Sequence, residues 1–443
     1  YIKINMHSIT CLSLLFSISV VIFLPSASFA SPPEQGHLAL LPAASSGVSV
    51  TWVQQNSSNG YVKYGTSASN LNMHSIPATS KTYSIKDMCG SPANETSKFV
   101  NPGNILMVSL TNLINGQIYY YSFGSNDSNT GFSPVYNFHF GPKSNSTTTF
   151  IGYGDMGAAS IGKNSTRVIL ENIDDVDIIM HVGDISYAMG NEHIWSDWFN
   201  MIEPVTTKVP YHVCLGNHEY DWPTQSFKPL LFTYRKDSGG ECGIPYDRRF
   251  NMPGPELKSK DFLTGSRNIY HSVNVGMVHF IMLSSEHNMT KGSEQYIWLE
   301  NDLKSVDRKV HPWIVFGQHR PYYGTTIVRV IPEYGIMRKI LEPLFVKYKV
   351  DLVMFGHIHQ YQRTCRMVNH KCNNAGPVYN IIGSAGATYQ VPFLWKPKWM
   401  KFRSDDFGIS KFKAWNHTHM EVKWFNDRND TVSDEYWIIR REA

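Results

Sequence analysis

The sequence predicts a two-domain protein in which an all-β sandwich precedes an α/β domain. Three observations lead to this fold class. The chain of 443 residues is longer than one hydrophobic core usually supports. Residues 31–143 contain short segments of alternating polarity separated by Gly, Asn and Ser, a pattern typical of antiparallel sandwiches. From residue 144 onward, apolar runs alternate with longer amphipathic stretches, which indicates βαβ units.

Short alternating segments define the strands of the predicted sandwich. They cover residues 48–53, 61–64, 105–110 and 119–123. Trp52, on an early strand, is expected to be the central aromatic residue of the core. The stretch from Leu113 to Tyr119 is similar to the Leu-to-Tyr corner of fibronectin type III modules. We expect this domain to have a packing or positioning role, because its sequence offers no catalytic constellation.

The second half contains five apolar, strand-like runs, each followed by a segment with potential metal ligands. The runs cover 150–153, 178–182, 211–215, 313–316 and 352–355. The segments that follow them are Gly154-Asp155-Met156-Gly157, Gly183-Asp184-Ile185-Ser186-Tyr187, Gly216-Asn217-His218-Glu219, Gln318-His319-Arg320-Pro321 and Gly356-His357-Ile358-His359. We expect helices over 293–306 and 332–349, and further strands over 420–424 and 436–440. Ligands in α/β sheets bind beyond the carboxyl ends of the strands, so the five segments are expected at one edge.

Together these segments supply two carboxylates, one phenol, one amide and three imidazoles, which is enough for two adjacent metal ions. The residues are Asp155, Asp184, Tyr187, Asn217, His319, His357 and His359. Each motif alone is weak, because Gly-Asp is usually a turn and Asn-His-Glu is often a cap. Their common position after strands makes the set specific. Two adjacent metals suit in-line attack on a phosphorus ester.

The order of these motifs resembles that of the calcineurin-like metallophosphoesterases. Gly183-Asp184 followed by Tyr187 resembles the purple acid phosphatases, and the surroundings of Asn217 look most like the larger plant-type members. Shared features outside the ligand set are Asp87-Met88-Cys89, Gly239-Gly240-Glu241-Cys242-Gly243-Ile244-Pro245 and Gly383-Ser384-Ala385-Gly386. The resemblance implies a four-layer α/β/β/α metallophosphoesterase sandwich over 144–443, preceded by a fibronectin type III-like domain over 31–143.

The resemblance also implies a role for each ligand. Asp155, Tyr187 and His359 would hold Fe(III), with the tyrosinate giving a visible charge-transfer colour. Asn217, His319 and His357 would hold a divalent Fe, Zn or Mn ion, and Asp184 would bridge the two metals. Hard oxygen ligands suit Fe(III), and imidazole suits a softer partner.

The implied activity is that of a secreted acid phosphatase that hydrolyses phosphate monoesters by attack of a metal-bound hydroxide. Asn217 and His218 would contact the phosphate, and His218 would act as general acid to the leaving group. The alternative role of His218 is to orient Asn217 from outside the ligand set.

One departure from the family pattern concerns the leaving-group side. Many plant members carry a further His shortly after the position of His319, whereas residues 321–337 contain none. Arg320, Tyr322, Tyr323 and Arg329 are the candidate substitutes. A phosphodiester or nucleotide pyrophosphate, whose leaving group needs less proton assistance, is therefore an alternative substrate. A third hypothesis is a non-catalytic extracellular binding glycoprotein, which the intact ligand set argues against.

The amino end resembles a secretory signal. An apolar stretch over 12–24 is followed by small residues, and cleavage is expected after Ala30; a buried helix is the alternative. The expected destination is the extracellular space or the lumen of the secretory route, including lysosome or vacuole. No later segment has the apolar length of a membrane span. Glycosylation sequons begin at Asn56, Asn94, Asn126, Asn145, Asn164, Asn288, Asn416 and Asn429.

Five cysteines remain after removal of such a signal. Cys365 and Cys372, seven residues apart in a turn-like stretch, are the most plausible disulfide in an oxidising compartment. Cys214 and Cys242 are candidates for a second, which would leave Cys89 free or in an intermolecular bridge. Sequence alone does not fix the pairing.

The charge pattern limits the partners that the protein is expected to bind. A formal charge of +4 without a dense Lys/Arg stripe argues against nucleic acid as the main partner. Small phosphorylated substrates are expected instead, and a homodimer remains open.

Overall fold

The computed structural model of the chain describes residues 32–55, 57–74, 77–126, 131–144, 146–220, 237–257, 266–326, 332–388 and 391–440. The first part contains the strands β1 (Glu34–Leu40), β2 (Val48–Gln54), β3 (Tyr61–Gly65), β4 (Met73–His74), β5 (Thr79–Lys81), β6 (Asn104–Leu110), β7 (Ile118–Gly124) and β8 (Tyr136–His139). Single 3-10 turns cover Ala43–Ser45 and Ile85–Asp87. The predicted signal segment lies outside the described residues.

These strands form two four-stranded antiparallel sheets, in the orders β1-β2-β6-β5 and β4-β3-β7-β8. Trp52 is fully buried in the core that they share. The Tyr119 hydroxyl accepts the backbone N–H of Ile114 at 2.9 Å, which is the contact expected of a Leu-to-Tyr corner. The predicted all-β sandwich is confirmed.

The second part alternates helices and strands. Its strands are β9 (Thr148–Tyr153), β10 (Ile178–His181), β11 (Tyr211–Val213), β12 (His271–Val275), β13 (Val278–Met282), β14 (Trp313–Gln318), β15 (Leu352–Phe355), β16 (Tyr361–Val368), β17 (Lys371–Cys372), β18 (Val378–Ile382), β19 (Met400–Ser404), β20 (Gly408–Ala414), β21 (His419–Asn426) and β22 (Thr431–Ile439). Its helices are α1 (Ser160–Glu171), α2 (His193–Thr206), α3 (Ile244–Arg249), α4 (Glu294–Ser305) and α5 (Pro332–Lys347). The helices expected over 293–306 and 332–349 are α4 and α5.

Two mixed sheets make up the centre of this domain. One has the order β11-β10-β9-β20-β21-β22, with β9, β10 and β11 parallel. The other has the order β12-β13-β14-β15-β18-β16-β17, with β19 paired to β16, and β13, β14, β15 and β18 run parallel. The five ligand-bearing strands are therefore divided between the sheets, three in the first and two in the second.

Side chains that alternate along the strands hold four layers together. Phe150 on β9 faces the other sheet, and its ring lies 4.9 Å from that of Phe280 on β13. Its neighbour Ile151 points the opposite way and belongs to the buried cluster that includes residues of α1 and α2. On the far side, the ring of Phe316 on β14 lies 4.7 Å from Phe345 on α5. The central strands are buried on both faces, and successive side chains face different interiors, which produces the predicted α/β/β/α sandwich.

A buried polar cluster joins the two domains. The Arg249 guanidinium, at the end of α3, contacts Glu192 at 2.7 Å, Tyr83 at 2.9 Å and Gln35 at 2.7 Å. Gln35 and Tyr83 come from the first domain, and Glu192 directly precedes α2. A buried guanidinium needs such partners, so this cluster fixes the contact between the two domains.

The disulfides confirm one sequence prediction and correct another. Cys365 pairs with Cys372, as expected. Cys242 pairs with Cys89 rather than with Cys214, which is free and buried between the sheets. The reason is that the segment after Cys89 packs along residues 239–242: the N–H groups of Cys89 and Ala93 donate to carbonyls there at 3.0 Å. This disulfide links the two domains. In the described part of the chain, no helix is long and apolar enough to cross a membrane.

Candidate metal centre

Four of the predicted ligands form one group at the rim of the sandwich. The Tyr187 hydroxyl lies 2.9 Å from His359 Nε2, 3.2 Å from Asp155 Oδ1 and 3.3 Å from Asp184 Oδ2. His359 Nε2 lies 3.3 Å from Asp155 Oδ1. Phenol, imidazole and two carboxylates therefore point at a common centre, as the assignment to one metal ion requires.

The other ligands form a second group beside the first. Asn217 Oδ1 lies 3.1 Å from His319 Nε2 and 2.8 Å from His357 Nδ1. The two imidazole nitrogens are 3.2 Å apart. These residues come from the loops that follow β11, β14 and β15, so ligands from both sheets meet at this point.

Asp184 belongs to both groups. Its Oδ2 atom lies 3.3 Å from the Tyr187 hydroxyl and 3.1 Å from His319 Nε2. Its Oδ1 atom accepts the backbone N–H of His218 at 2.9 Å. One carboxylate oxygen therefore stands between two sets of ligands, which is the position of a bridging ligand.

Four ligands have left-handed backbones, which L-residues rarely adopt. The φ angles are 61° at Asp155, 51° at Asp184, 54° at Tyr187 and 69° at His357. Each residue lies just past the end of a buried strand, where the chain turns sharply. Non-Gly residues in this region mark sites where the surroundings impose the conformation.

Two glycines leave the space that the carboxylates occupy. A Cβ atom on Gly216 would lie 2.1 Å from Asp184 Oδ1, and one on Gly356 would lie 2.5 Å from Asp155 Oδ2. Any side chain at these positions would displace a ligand. The glycines that introduce the motifs are thus required by close approach.

The chemistry of the second group fits a cation. His319 Nδ1 donates to the carbonyl of Val182 at 2.9 Å, which leaves Nε2 as the ligand atom. That nitrogen, His357 Nδ1 and the Asn217 oxygen then present three lone pairs to one point, an arrangement that a positive ion stabilises. Asp155 and Asp184 are 0% and 1% exposed, and buried carboxylates need a cation nearby.

Without a metal, protons balance the charge of the site. Burial lowers the pKa of His319, but the carboxylates of Asp184 and Asp155 outweigh it and raise that pKa to about 10. Burial and the charge of Asp155 raise the pKa of Tyr187 well above its ordinary value. A metal ion would have to displace these protons, so binding releases protons to solvent.

Two acidic residues that the sequence prediction did not assign orient the ligands. Asp237 Oδ2 accepts the amide N–H of Asn217 at 3.2 Å, which turns Asn217 Oδ1 toward the histidines. Glu219 accepts backbone N–H groups from Asp184, Ile185 and Gly216 at 2.8–2.9 Å. Glu219 stood inside the Asn-His-Glu motif, but only the fold reveals its partners.

His218 forms a wall of the site without entering the ligand set. Its ring lies 4.5 Å from the Tyr187 ring, and its Nε2 atom lies 4.0 Å from Asp184 Oδ2. The side chain is 21% exposed. It is therefore reachable by a molecule bound over the centre.

The structure distinguishes the candidate substitutes for the missing histidine by their distance from the centre and by their hydrogen-bond partners. The Tyr322 hydroxyl donates to Gln318 at 2.5 Å, and that of Tyr323 donates to Glu342. Both tyrosines are buried among core residues and are already engaged by these partners. Arg320 remains beside the centre, where Nη1 lies 3.5 Å from His357 Nε2. Arg329 lies outside the described residues.

Arg320 is held by a buried carboxylate. Its Nε and Nη2 atoms contact the two oxygens of Glu286 at 2.8 and 3.0 Å. A bidentate pair fixes the plane of the guanidinium. Arg320 was one of the sequence candidates for the leaving-group side, whereas its pairing with Glu286 is a feature that the sequence motif alone did not identify.

Most of the predicted glycosylation sites lie at the surface. Asn94, Asn126, Asn416 and Asn429 are exposed, and Asn288 is partly exposed. Asn164 lies within α1 and donates its amide N–H to the Asp427 carbonyl at 2.7 Å. Asn56 and Asn145 fall outside the described residues.

Comparison with known proteins places this geometry in a family. Family models match successive parts of the chain: "Purple acid Phosphatase, N-terminal domain" over 33–140, "Calcineurin-like phosphoesterase" over 148–361 and "Iron/zinc purple acid phosphatase-like protein C" over 376–435. Probable inactive purple acid phosphatase 9 of Arabidopsis thaliana is 36% identical, over 92% of this chain and 67% of that protein. The chain belongs to the purple acid phosphatase family.

Two further relatives of this purple acid phosphatase family member are informative. The structure of purple acid phosphatase PPD1 from yellow lupin seeds matches with a TM-score of 0.82 and 30% identity, over 92% of this chain and 74% of that one. A barley (Hordeum vulgare) nucleotide pyrophosphatase/phosphodiesterase is 32% identical, over 68% of this chain and 85% of that protein. The chain spans 62% to 67% of the length of the first four Arabidopsis relatives, all named probable inactive purple acid phosphatases.

Proposed function

We propose that this protein is a binuclear-metal phosphoesterase that hydrolyses phosphate monoesters in a secreted or secretory-lumen setting. One observation carries the proposal: the seven predicted ligands converge in two groups that share Asp184 Oδ2, 3.3 Å from the Tyr187 hydroxyl and 3.1 Å from His319 Nε2. Candidate metal sites formed by Asp155, Asp184 and His359 and by Asp184, His319 and His357 support it.

Fe(III) is proposed for the group that contains Tyr187, and a divalent Fe, Zn or Mn ion for the group that contains Asn217. When bound, such ions supply Lewis acidity to the phosphoryl oxygens and a water of lowered pKa. The chain contributes the geometry: backbone and carboxylate contacts hold the ligands before the substrate arrives. A preorganised site stabilises developing charge without reorganising during the reaction.

Asn217 and His218 are the proposed contacts to the substrate. The imidazole of His218 lies on the solvent side of the centre, 4.0 Å from Asp184 Oδ2. In this position it can hydrogen-bond a phosphoryl oxygen and protonate the leaving oxygen. Its backbone N–H holds Asp184 Oδ1, so the same residue also orients the bridging carboxylate.

A second candidate function is cleavage of phosphodiesters or nucleotide pyrophosphates at the same centre. It is favoured by the barley relative, which is named for that activity, and by the lack of histidine over residues 321–337. The relatives named inactive keep a third, non-catalytic role in view. The complete ligand set and the accessible His218 favour an enzyme.

We further propose the domain division and the modifications expected from the sequence. Residues 1–30 would be a signal segment, 31–143 the sandwich and 144–443 the catalytic domain. The last strand of the sandwich, β8, ends at His139, and β9 begins at Thr148, which supports a division between them. N-glycans are proposed at the exposed sequons.

The decisive experiment combines elemental analysis with a visible spectrum of the purified protein. About two metal ions per chain, one of them iron, and a visible charge-transfer band are expected. Tyr187→Phe should abolish the band while leaving the divalent ion bound. Tyr348→Phe is the matched control, because Tyr348 lies away from the centre at the end of α5 and should change neither property.

Substrate assays then separate the two enzymatic functions. Rates on p-nitrophenyl phosphate, its bis-ester and ATP at acid to neutral pH are compared. Preference for the monoester supports the first proposal. Strong diester or pyrophosphate cleavage with a negligible monoester rate supports the second, and a protein with fewer than two metals and no activity contradicts both.

A further inference from the structure

A cavity of about 630 Å³ opens beside the first ligand group. Its inner end is formed by Tyr187, His218 and His359, and its walls continue outward from the metal centre. The volume is within the range of about 300–1,000 Å³ that small-molecule sites occupy. A substrate held at the centre therefore has a defined space next to it.

The walls of this cavity are mainly apolar. They are contributed by the segment after β9, the loop before α2, the first turn of α2 and the loop after β18. The apolar side chains are Met156, Ala158, Ala159, Met189, Ile194 and Ala387. Met189 is 45% exposed, so this residue lies where the cavity opens to solvent. Such surfaces favour flat or branched hydrocarbon groups over hydrated ones.

The charges of the residues that line the cavity also favour an uncharged organic group. Among the described lining residues no Lys or Arg is present, and Asp197 is the acidic one. Within the described part of the lining, an organic group with its own phosphate or carboxylate would therefore meet the Asp197 carboxylate. Arg320 lies next to the second ligand group, beside His357.

The position of His218 connects the cavity with the reaction. A proton donor must lie within hydrogen-bond reach of the leaving oxygen, and His218 lines the inner end of this cavity. An ester oxygen next to His218 would direct its organic group along the apolar walls. Arg320, beside the second ligand group and absent from the cavity lining, would then be available to the phosphoryl oxygens.

We propose that this cavity, which we term the Met189 cavity after the residue at its mouth, binds the organic group of the substrate, and that this group is uncharged and apolar or aromatic. The assignment depends on the phosphoesterase function proposed above and narrows its substrate class to aryl and hydrophobic alkyl phosphate esters. Esters whose organic group carries a second negative charge are disfavoured.

The test measures binding of non-hydrolysable phosphonates to the metal-loaded protein by calorimetry. Inorganic phosphate, methylphosphonate and phenylphosphonate share an anionic head and differ in apolar surface. Phenylphosphonate should bind at least about ten-fold more tightly than methylphosphonate, because its ring leaves water for the cavity.

Two variants locate the effect. Met189→Gln keeps the length of the side chain and makes it polar. It should reduce the preference for phenylphosphonate over methylphosphonate several-fold and leave the affinity for inorganic phosphate unchanged. Met73→Gln is the matched control, because Met73 is 40% exposed on β4 of the first domain. Asp197→Asn should strengthen binding of 4-phosphonobenzoate, which carries a second charge, without changing that of phenylphosphonate.

The outcomes distinguish the inference from the function on which it depends. If inorganic phosphate binds and phenylphosphonate binds no better than methylphosphonate, the Met189 cavity does not receive the organic group, although the phosphoesterase function stands. An equal loss of the preference for phenylphosphonate in Met189→Gln and Met73→Gln would likewise overturn the assignment. If none of the anions binds the metal-loaded protein, both proposals fail together.

Discussion

The Glu219 carboxylate accepts the backbone N–H of Asp184 at 2.9 Å and thereby holds the residue that we propose as the bridging ligand. The same side chain accepts the N–H groups of Ile185 and Gly216 at 2.8 and 2.9 Å. It therefore ties together the loops after β10 and β11. Burial and the charge of Asp184 raise its pKa to about 8, whereas its backbone donors favour the ionised form.

We predict that Glu219→Gln weakens metal binding about 10- to 100-fold, the usual effect of losing a residue that orients ligands. The new amide group would direct N–H donors at backbone N–H groups that now have a carboxylate acceptor. Metal titration followed by elemental analysis measures the loss. Glu171→Gln, whose side chain is 53% exposed on α1, is the control, and equal metal affinity in the two variants would refute the positioning role of Glu219.

We predict that His218→Gln reduces kcat most for substrates with poor leaving groups. General-acid catalysis contributes about 100- to 10,000-fold, so an alkyl phosphate should lose that factor, whereas p-nitrophenyl phosphate should lose much less. The measurement is kcat against leaving-group pKa. A uniform loss across the series would show that His218 only binds phosphate or orients Asn217. His417→Gln, at an exposed position before β21, should leave the series unchanged.

We predict that Arg249→Met destabilises the protein by about 3–5 kcal/mol, because it leaves the buried Glu192 carboxylate without its cation. The two side chains are 1% and 4% exposed and 2.7 Å apart. Denaturant unfolding of Arg249→Met, Glu192→Gln and the double variant measures their coupling. The double variant should lose clearly less free energy of unfolding than the two single variants lose together. Additive losses would contradict an interacting pair.

We predict that Asp427→Asn stabilises the protein at neutral pH and has little effect in acid. Burial raises the pKa of Asp427 to about 6 from an ordinary value of 3.8, so the folded state favours the protonated form. That stability is fully present below pH 3.8 and is lost as the pH rises through about 6. The shift in the pKa of Asp427 corresponds to at most about 3 kcal/mol of folding stability. Asparagine is neutral at every pH, so the variant keeps this stability at neutral pH.

Melting of both proteins at about pH 4.5 and about pH 7.5 tests this prediction. Buried His37, His181 and His212, with pKa values lowered by burial to about 4, 3 and 3, act in the opposite direction, since their folded forms are neutral. They are common to both proteins, so only the difference at each pH is informative. A variant that melts no higher than the parent near neutral pH would contradict the raised pKa.

The strands and the ligands that follow them were predictable because local patterns define them. Phe150 and Ile151 alternate between two interiors, and Asp155 comes directly after their strand. This alternation in the direction of side chains depends only on position along the strand. The same holds for Trp52 and for the Tyr119 corner, whose hydrogen bond spans five residues.

The sequence by itself thus determined the two domain types and the ligand-bearing segments, and it favoured the disulfide that the structure shows between Cys365 and Cys372. Only the tertiary structure decided the partner of Cys89, the ties made by Glu219 and the pairing of Arg320 with Glu286. Those contacts join residues 153, 35 and 34 positions apart, and they depend on how the two sheets and the sandwich domain pack. Local periodicity carries no information about such distances, since it describes each element and not its neighbours in space.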